Sequence, residues 1–269
     1  MTIAFIGAGN MAISLIRGLL SNGMSTADLI AADPSDVQRA NAKGIGIRTE
    51  ADNNIAISEA DIIVVAVKPQ IAGQVLKSLN TIKGTQLVIS VAAGIGLESL
   101  QSWLPEGQPI VRCMPNTPAL VGAGMTGLYA NDQVKPEHRE AAERVLEAAG
   151  AVVWVPSEGL LDAVTAVSGS GPAYFFLLME YMAKTGTALG LDADTSRMLT
   201  LQTALGAALM AQKSTEPLAN LRQNVTSPGG TTEAAINTML AHGMPEAIES
   251  ALQAAQQRSI QLAKEFGNP

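Results

Sequence analysis

The stretch that most constrains this chain is its start, Met1-Thr-Ile-Ala-Phe-Ile-Gly-Ala-Gly-Asn-Met-Ala12. Ile3 to Ile6 is apolar without polar alternation, which predicts a parallel strand covered on both faces. Gly7-Ala8-Gly9-Asn10-Met11-Ala12 follows directly as G-x-G-x-x-A. Gly7 permits the tight turn, Gly9 lets backbone approach a pyrophosphate with no Cβ in the way, and Ala12 lets helix and strand pack closely. The helix beginning there offers free N–H groups and about half a positive charge. Such a motif can also be a tight βα turn with no ligand, so its surroundings decide. Here it opens the amphipathic stretch Met11 to Leu20, and a second strand, Leu29 to Ala32, ends in Asp33. An acidic residue about 20 positions on is where a ribose 2′-hydroxyl is bonded in this class of fold.

Aromatic residues make up 3% of the chain against 47% hydrophobic overall, so the core has to be built from Ala, Val, Ile, Leu and Met. A formal net charge of −7 leaves no basic stripe for phosphate backbones, and nucleic acid is not an expected partner. Cys113 is the sole cysteine. An internal disulfide and a multi-thiolate metal site are therefore excluded, a buried apolar role is expected for Cys113, and a reducing cytosol fits. No basic segment precedes the first strand, so no cleavable signal is expected. The most apolar stretches, Phe175 to Met182 and Met198 to Met210, are interrupted by Glu180, Lys184, Gln202 and Thr203. They fall short of the roughly 20 residues a membrane span needs, so the expected setting is the cytoplasm, with no membrane partner.

Beyond Asp33, strands and helices alternate. A polar helix is expected over 35–43, a short strand over 45–47, a helical turn or two over 53–59 and a central strand over 61–67. A helix over 70–79 and a strand over 86–91 come next, then a strand over 110–114, one near 125–130, a helix over 136–149 and a strand near 152–155. This is an α/β pattern, a doubly wound Rossmann-type sheet. Ala66-Val67-Lys68-Pro69 and Val91-Ala92-Ala93 stand at carboxyl ends of parallel strands, where ligands bind and small residues leave room for a flat ring. Asn116 lies in the rigid turn Pro115-Asn-Thr-Pro118 after another strand.

From Leu160 the pattern is helical only, over 161–189, 194–212, 218–223, 231–242 and 245–266. Two domains are expected, a dinucleotide-binding one over 1–158 and an all-α one over 159–269. The first two helices are apolar nearly all round, and such helices are buried on every side. A domain this small can hardly cover both, so a homodimer is expected; a bundle packed on the first domain is the alternative. Two stretches carry glycines and hydroxyls that helices do not ordinarily want, Val167-Ser-Gly-Ser-Gly-Pro-Ala173 and Asn224-Val-Thr-Ser-Pro-Gly-Gly-Thr-Thr-Glu233. In the second, Ser227 can cap, Pro228 suits the first helical position, and Gly229, Gly230 and Thr231 expose N–H groups. It reads either as an anion seat without lysine or arginine or as a capped helix start. His138 and His242 lie on an outer helix and at a helix end, so neither is expected as a general base.

Taken in order, Gly7-Ala-Gly-Asn-Met-Ala12, Ala66-Val-Lys-Pro69, Arg112-Cys-Met-Pro-Asn-Thr-Pro118, Asp162-Ala-Val-Thr165, Ser168-Gly-Ser-Gly-Pro-Ala-Tyr174 and Ser227-Pro-Gly-Gly-Thr-Thr232 closely resemble the pyrroline-5-carboxylate reductases over nearly the whole chain. The resemblance implies reduction of L-1-pyrroline-5-carboxylate to L-proline with NAD(P)H, the last step of proline biosynthesis. It implies a homodimer, or a higher oligomer of dimers, built through the helical domain. Carried over by position, Ile6, Gly7, Ala8, Gly9, Asn10 and Met11 would hold the pyrophosphate, and Asp33 and Asn53 would flank the adenosine ribose. Ala66, Val67, Lys68, Pro69, Val91, Ala92, Ala93 and Asn116 would serve the rest of the cofactor, with Asn224 touching cofactor or substrate. Ser227, Gly229, Gly230, Thr231 and Thr232 would hold the substrate carboxylate. The Thr232 hydroxyl would stand near the imine nitrogen, and Glu158 matches a substrate-proximal acid. The family commonly uses NADPH, so NADP(H) is expected ahead of NAD(H), whereas Asp33 by itself favours NAD(H) and repels a 2′-phosphate. Arg39 and Lys43 on the next helix could compensate. No metal is implied. The rivals are a hydroxy-acid dehydrogenase of the 6-phosphogluconate type and a non-catalytic dinucleotide sensor. The former carries a lysine four residues after its G-x-G, where this chain has Phe175.

Overall fold

The structure is a computed structural model in which residues 1–267 are described. The chain forms two compact units, Met1–Ser170 joined by the stretch from Ala254 onward, and Gly171–Gln253.

The first unit is built on eight strands: β1 Ile3–Ile6, β2 Leu29–Ala32, β3 Arg48–Glu50, β4 Ile62–Val65, β5 Leu87–Ser90, β6 Ile110–Met114, β7 Gly124–Ala130 and β8 Gly150–Trp154. They form one sheet in the order β3-β2-β1-β4-β5-β6-β7-β8, parallel throughout except where β7 runs antiparallel to β6. The order reverses at β1, which pairs with β2 on one side and β4 on the other. The missing alternation in the strands has a simple cause: both faces are covered. Ile3, Phe5, Leu29, Val64, Ile89 and Val111 feed one buried cluster, and Ala4, Ile6, Ile30, Ile63, Val65 and Val88 feed the other. Helices α1 Asn10–Ser21, α2 Asp36–Lys43, α3 Asn53–Ile57, α4 Pro69–Lys77, α5 Leu97–Trp103 and α6 Pro136–Glu147 make the crossovers.

Several elements depart from the sequence expectations. The third strand is at 48–50 rather than 45–47, because Gly46 takes φ +95°, a left-handed conformation that ends a turn and cannot sit in a pleated ladder. Helix α5 was not anticipated: it is seven residues long and its periodic signal is three residues, Leu97, Leu100 and Trp103, all buried. The helix expected over 161–189 is interrupted. It runs as α7 Leu160–Val164, a wider π-turn over Thr165–Gly169 in which Ser170 N–H donates to Thr165 O at 2.8 Å, and α8 Gly171–Ala188. By its contacts the chain divides at 170/171, where the sequence reading set the domain boundary at 158/159, and the last helix from Ala254 onward belongs to the first unit. The reason is visible in the contacts. Gly127 of β7 lies beneath Val164 and Leu161 with no room for a Cβ, and Ser259 Oγ donates to Asp162 Oδ1 at 2.7 Å.

The second unit contains α8, α9 Ala193–Lys213, α10 Leu218–Asn224, α11 Thr231–Ala241 and the start of α12 Met244–Phe266. Helices α8 and α9 pack tightly where Ser196 Oγ donates to Ala183 O at 2.7 Å and Gly186 leaves space for it. Much of the remaining apolar surface of both helices is bare in a single chain, including Phe175, Phe176, Leu177, Tyr181, Met198 and Met210. Among the described residues, no helix is long and apolar enough to cross a membrane.

Candidate active site

The turn after β1 is set by backbone bonds and one glycine. Gly7 N–H donates to Ala32 O and Ala66 N–H to Ile6 O, each at 2.8 Å, so the turn is pinned between the ends of β2 and β4. Gly7 has φ +93°, and a Cβ there would lie 2.7 Å from Ala66 O. Gly9 differs: it is extended, caps α1, and faces open space. No acidic residue occupies the first turn of α1. An open glycine before an uncompensated helix start, at the carboxyl edge where strand order reverses, is a cradle that fits a dinucleotide pyrophosphate. The side chains of Ile6 and Ala8 are fully buried, so only their backbone can face a ligand, while Asn10 is exposed and Met11 half-buried.

Asp33 acts first on the turn itself. Its Oδ2 accepts Ala8 N–H at 2.9 Å and its Oδ1 accepts Ser35 N–H at 2.9 Å, so the carboxylate ties β2 to the glycine loop. Arg39 Nη1 donates to Asp33 O at 2.6 Å, and its Nη2 pairs with Asp36. Lys43 ends α2. Asn53 opens α3 and is half-buried. Lys68 caps α4 and Pro69 takes the first helical position, as its missing N–H allows. Ala66, Val67 and Val91 are half-buried, Ala92 is buried, and Ala93 is exposed.

Two residues expected to face ligands are engaged within the first unit. Asn116 Nδ2 donates to Ser168 O at 3.0 Å, and its Oδ1 accepts Met125 N–H at 2.9 Å. Its amide thus fastens the π-turn to β7. Glu158 Oε1 accepts from Arg112 Nη1 at 2.6 Å and from Leu97 N–H at 2.7 Å. That oxygen holds β6 and α5 together, on the residue that the resemblance offers as a substrate-proximal acid. Cys113 is buried and donates to Ser90 O, and burial pushes its thiol far above the ordinary range.

In the second unit, Ser227 to Gly230 forms a turn closed by Gly230 N–H to Ser227 O at 3.0 Å, with Gly229 at φ +72°. The helix cap is Gly230, and Thr231 is the first helical residue, so Ser227 does not cap and Pro228 is not at the first helical position. The physical reason is the turn's own hydrogen bond, which places the helix start three residues later. Nor are all the expected N–H groups open: Gly229 N–H donates to Glu233 Oε2 at 2.7 Å. Thr231 and Thr232, as the first helical residues, keep N–H groups with no intrahelical acceptor. Ser227 and Thr231 are exposed and Thr232 half-buried. Asn224 ends α10 and its Nδ2 donates to Glu216 Oε2 at 3.2 Å. Sequence reasoning missed Glu216, Glu233 and the use of Arg112. Glu233, at i+4 from Gly229, had a local signal; the other two are pairings across a turn or across strands.

A family model described as pyrroline-5-carboxylate reductase dimerisation matches residues 158–262, and one described as NADP oxidoreductase, coenzyme F420-dependent, matches residues 2–94. The pyrroline-5-carboxylate reductase of Pseudomonas aeruginosa is 52% identical over 98% of each chain, and that of Pasteurella multocida 42% identical over 98% of each. Among solved structures, a pyrroline-5-carboxylate reductase from Coxiella burnetii has a TM-score of 0.92 at 41% identity, covering 100% of this chain and 99% of that one. The Plasmodium falciparum pyrroline carboxylate reductase, solved with NADP bound, has a TM-score of 0.87 at 30% identity over 98% of both chains. Likeness at this level spans nearly the whole of each chain, and the chain belongs to the pyrroline-5-carboxylate reductase family.

Proposed function

We propose that this chain, as a homodimer, reduces L-1-pyrroline-5-carboxylate to L-proline with NADPH or NADH, the last step of proline biosynthesis. The observation that carries the reading is the 52% identity over 98% of the chain to a pyrroline-5-carboxylate reductase, with both glycine turns intact. The reduced nicotinamide, when bound, supplies the hydride. Backbone groups from Ile6 to Met11 hold the pyrophosphate, and Asp33 and Asn53 stand by the adenosine ribose. Ala66 to Pro69 and Val91 to Ala93 line the nicotinamide half, while Asn116 fixes the neighbouring turn.

Asn224, Ser227, Gly229, Gly230, Thr231 and Thr232 bind the substrate. Its carboxylate is held by the N–H groups at the start of α11 and by nearby hydroxyls, with Glu233 keeping the turn in shape. A cyclic imine accepts hydride readily only when its nitrogen is protonated, so the chain has to stabilise or supply a proton there rather than provide a strong base. The Thr232 hydroxyl serves that purpose, and no histidine is called on.

Proline formation from the imine with each reduced cofactor tests the reading. Turnover of a 3-hydroxy acid, or cofactor binding without oxidation when imine is present, would overturn it in favour of a hydroxy-acid dehydrogenase or a sensor.

A further inference from the structure

The six residues from Val91 to Gly96, between β5 and α5, form a strap with unusually little freedom. Its interior is anchored, since Ala92 and Ile95 are 3% and 0% exposed, whereas Ala93 faces outward. Gly94 takes φ +73° with its α-carbon close against Leu262 of α12, where an added Cβ would sit 3.4 Å from the leucine Cβ. Its exit is held by Glu158, whose Oε1 accepts Leu97 N–H at 2.7 Å and lies 3.4 Å from where a Gly96 Cβ would be. The same oxygen accepts Arg112 Nη1 at 2.6 Å. Arg112 is 9% exposed on β6, in register with Ser90, the last residue of β5 before the strap. One carboxylate oxygen thus joins the strap's far end to the strand beside its near end. A charge-assisted bond at this depth is strong, and losing one partner leaves the other charge poorly compensated.

We infer that Arg112 and Glu158 are positioning residues that fix the Val91–Gly96 strap, and with it the nicotinamide ring, for hydride transfer. The inference rests on the placement of the nicotinamide half along Val91–Ala93 proposed above. A strap that shifts by about an ångström misaligns the donor carbon, a displacement that costs on the order of a hundredfold in rate. The pyrophosphate at the β1–α1 turn and the adenosine ribose by Asp33 and Asn53 do not depend on the strap.

The test uses the full-length enzyme. Glu158→Gln keeps the shape and an acceptor for Leu97 N–H but removes the charge; Arg112→Lys keeps the charge but loses the fork. Expected for Glu158→Gln is a fall in kcat of about ten- to a hundredfold and a larger primary isotope effect with NADPH deuterated at the transferred position. Affinity for 2′,5′-ADP, which lacks the nicotinamide, stays within about twofold of wild type. Arg112→Lys shows the same pattern, less severely. Wild-type kcat and isotope effect in both variants overturn the inference, as does a loss of 2′,5′-ADP affinity in step with kcat, which signals general damage. Ala93→Leu separates the inference from the placement beneath it. If it leaves NADPH affinity intact, the cofactor placement fails and the inference with it. If it abolishes NADPH binding, spares 2′,5′-ADP, and Glu158→Gln is silent, the placement stands and the brace is refuted.

Discussion

Gly7 and Gly9 lie two residues apart in one motif, yet the structure gives them different work, and substitution by alanine should separate folding from binding. At Gly7 an alanine must adopt φ near +93°, at a cost of about 1–2 kcal/mol for a residue with a Cβ. Its methyl would also lie 2.7 Å from Ala66 O and 2.9 Å from Ala66 C, both backbone atoms that cannot rotate aside, so the end of β4 has to move. Together these amount to about 3 kcal/mol or more, a large part of the roughly 5–15 kcal/mol by which domains are stable. At ~2–4 °C per kcal/mol for a chain of this size, Tm should fall by about 6–12 °C. At Gly9 the backbone is extended, φ −75° and ψ −176°, and nothing stands within 4 Å of an added Cβ. Gly9→Ala should therefore melt at or slightly above the wild-type temperature, since alanine lowers the entropy of the unfolded chain. Its methyl occupies the space through which a pyrophosphate approaches, so NADPH affinity should drop by about tenfold or more. Thermal melts without ligand and fluorescence titration of NADPH measure the two effects. Wild-type NADPH affinity in Gly9→Ala, or a Tm for Gly7→Ala within about 1 °C of wild type, would refute the reasoning.

Four further outcomes are expected. Asp33→Ala removes an acceptor for both Ala8 N–H and Ser35 N–H, so it should weaken NADH and NADPH alike and cost about 1–2 kcal/mol of stability; a loss confined to NADH would return Asp33 to the ribose hydroxyl alone. Thr232→Val, assayed at saturating NADPH, should lower kcat by about ten- to a thousandfold with little change in KM, and an unaltered kcat removes the threonine from the mechanism. Phe175 and Met198 are 65% and 63% exposed on α8 and α9 in a single chain, so the pair Phe175→Glu and Met198→Glu should shift sedimentation toward the monomer; an undisturbed dimer would place the interface elsewhere. Burial raises the pKa of the Cys113 thiol and leaves it protonated through the working pH range, so a disulfide reagent at pH 8 should label it only after denaturation, and rapid labelling of the native enzyme would contradict that burial.

The sequence by itself determined the parts that depend on neighbours along the chain. The β1–α1 turn was legible because its glycines act through local backbone geometry, and the central strands were legible because burial on both faces removes alternation. Asp33 could be placed at the end of β2 but not oriented. Its two N–H donors come from residues 8 and 35, and only the sheet that sets β1 beside β2 brings them to one carboxylate. In the second unit, the serine, glycines and threonines of 227–232 announced a helix start, but the turn bond from Gly230 to Ser227 moved the cap, and the Glu233 carboxylate took one of the donors. The π-turn at 165–169, which overlaps the start of the 168–174 motif, had no periodic signal, since five residues are too few to show a period. Arg112 and Glu158 mark the limit of reading along the chain. Each is unremarkable where it stands, 46 positions apart, and it is the closing of β6, β7 and β8 into one sheet that sets guanidinium against carboxylate. Local sequence encodes which conformations a segment can take. Which polar groups answer one another across strands is decided when packing excludes water and every buried donor has to find an acceptor.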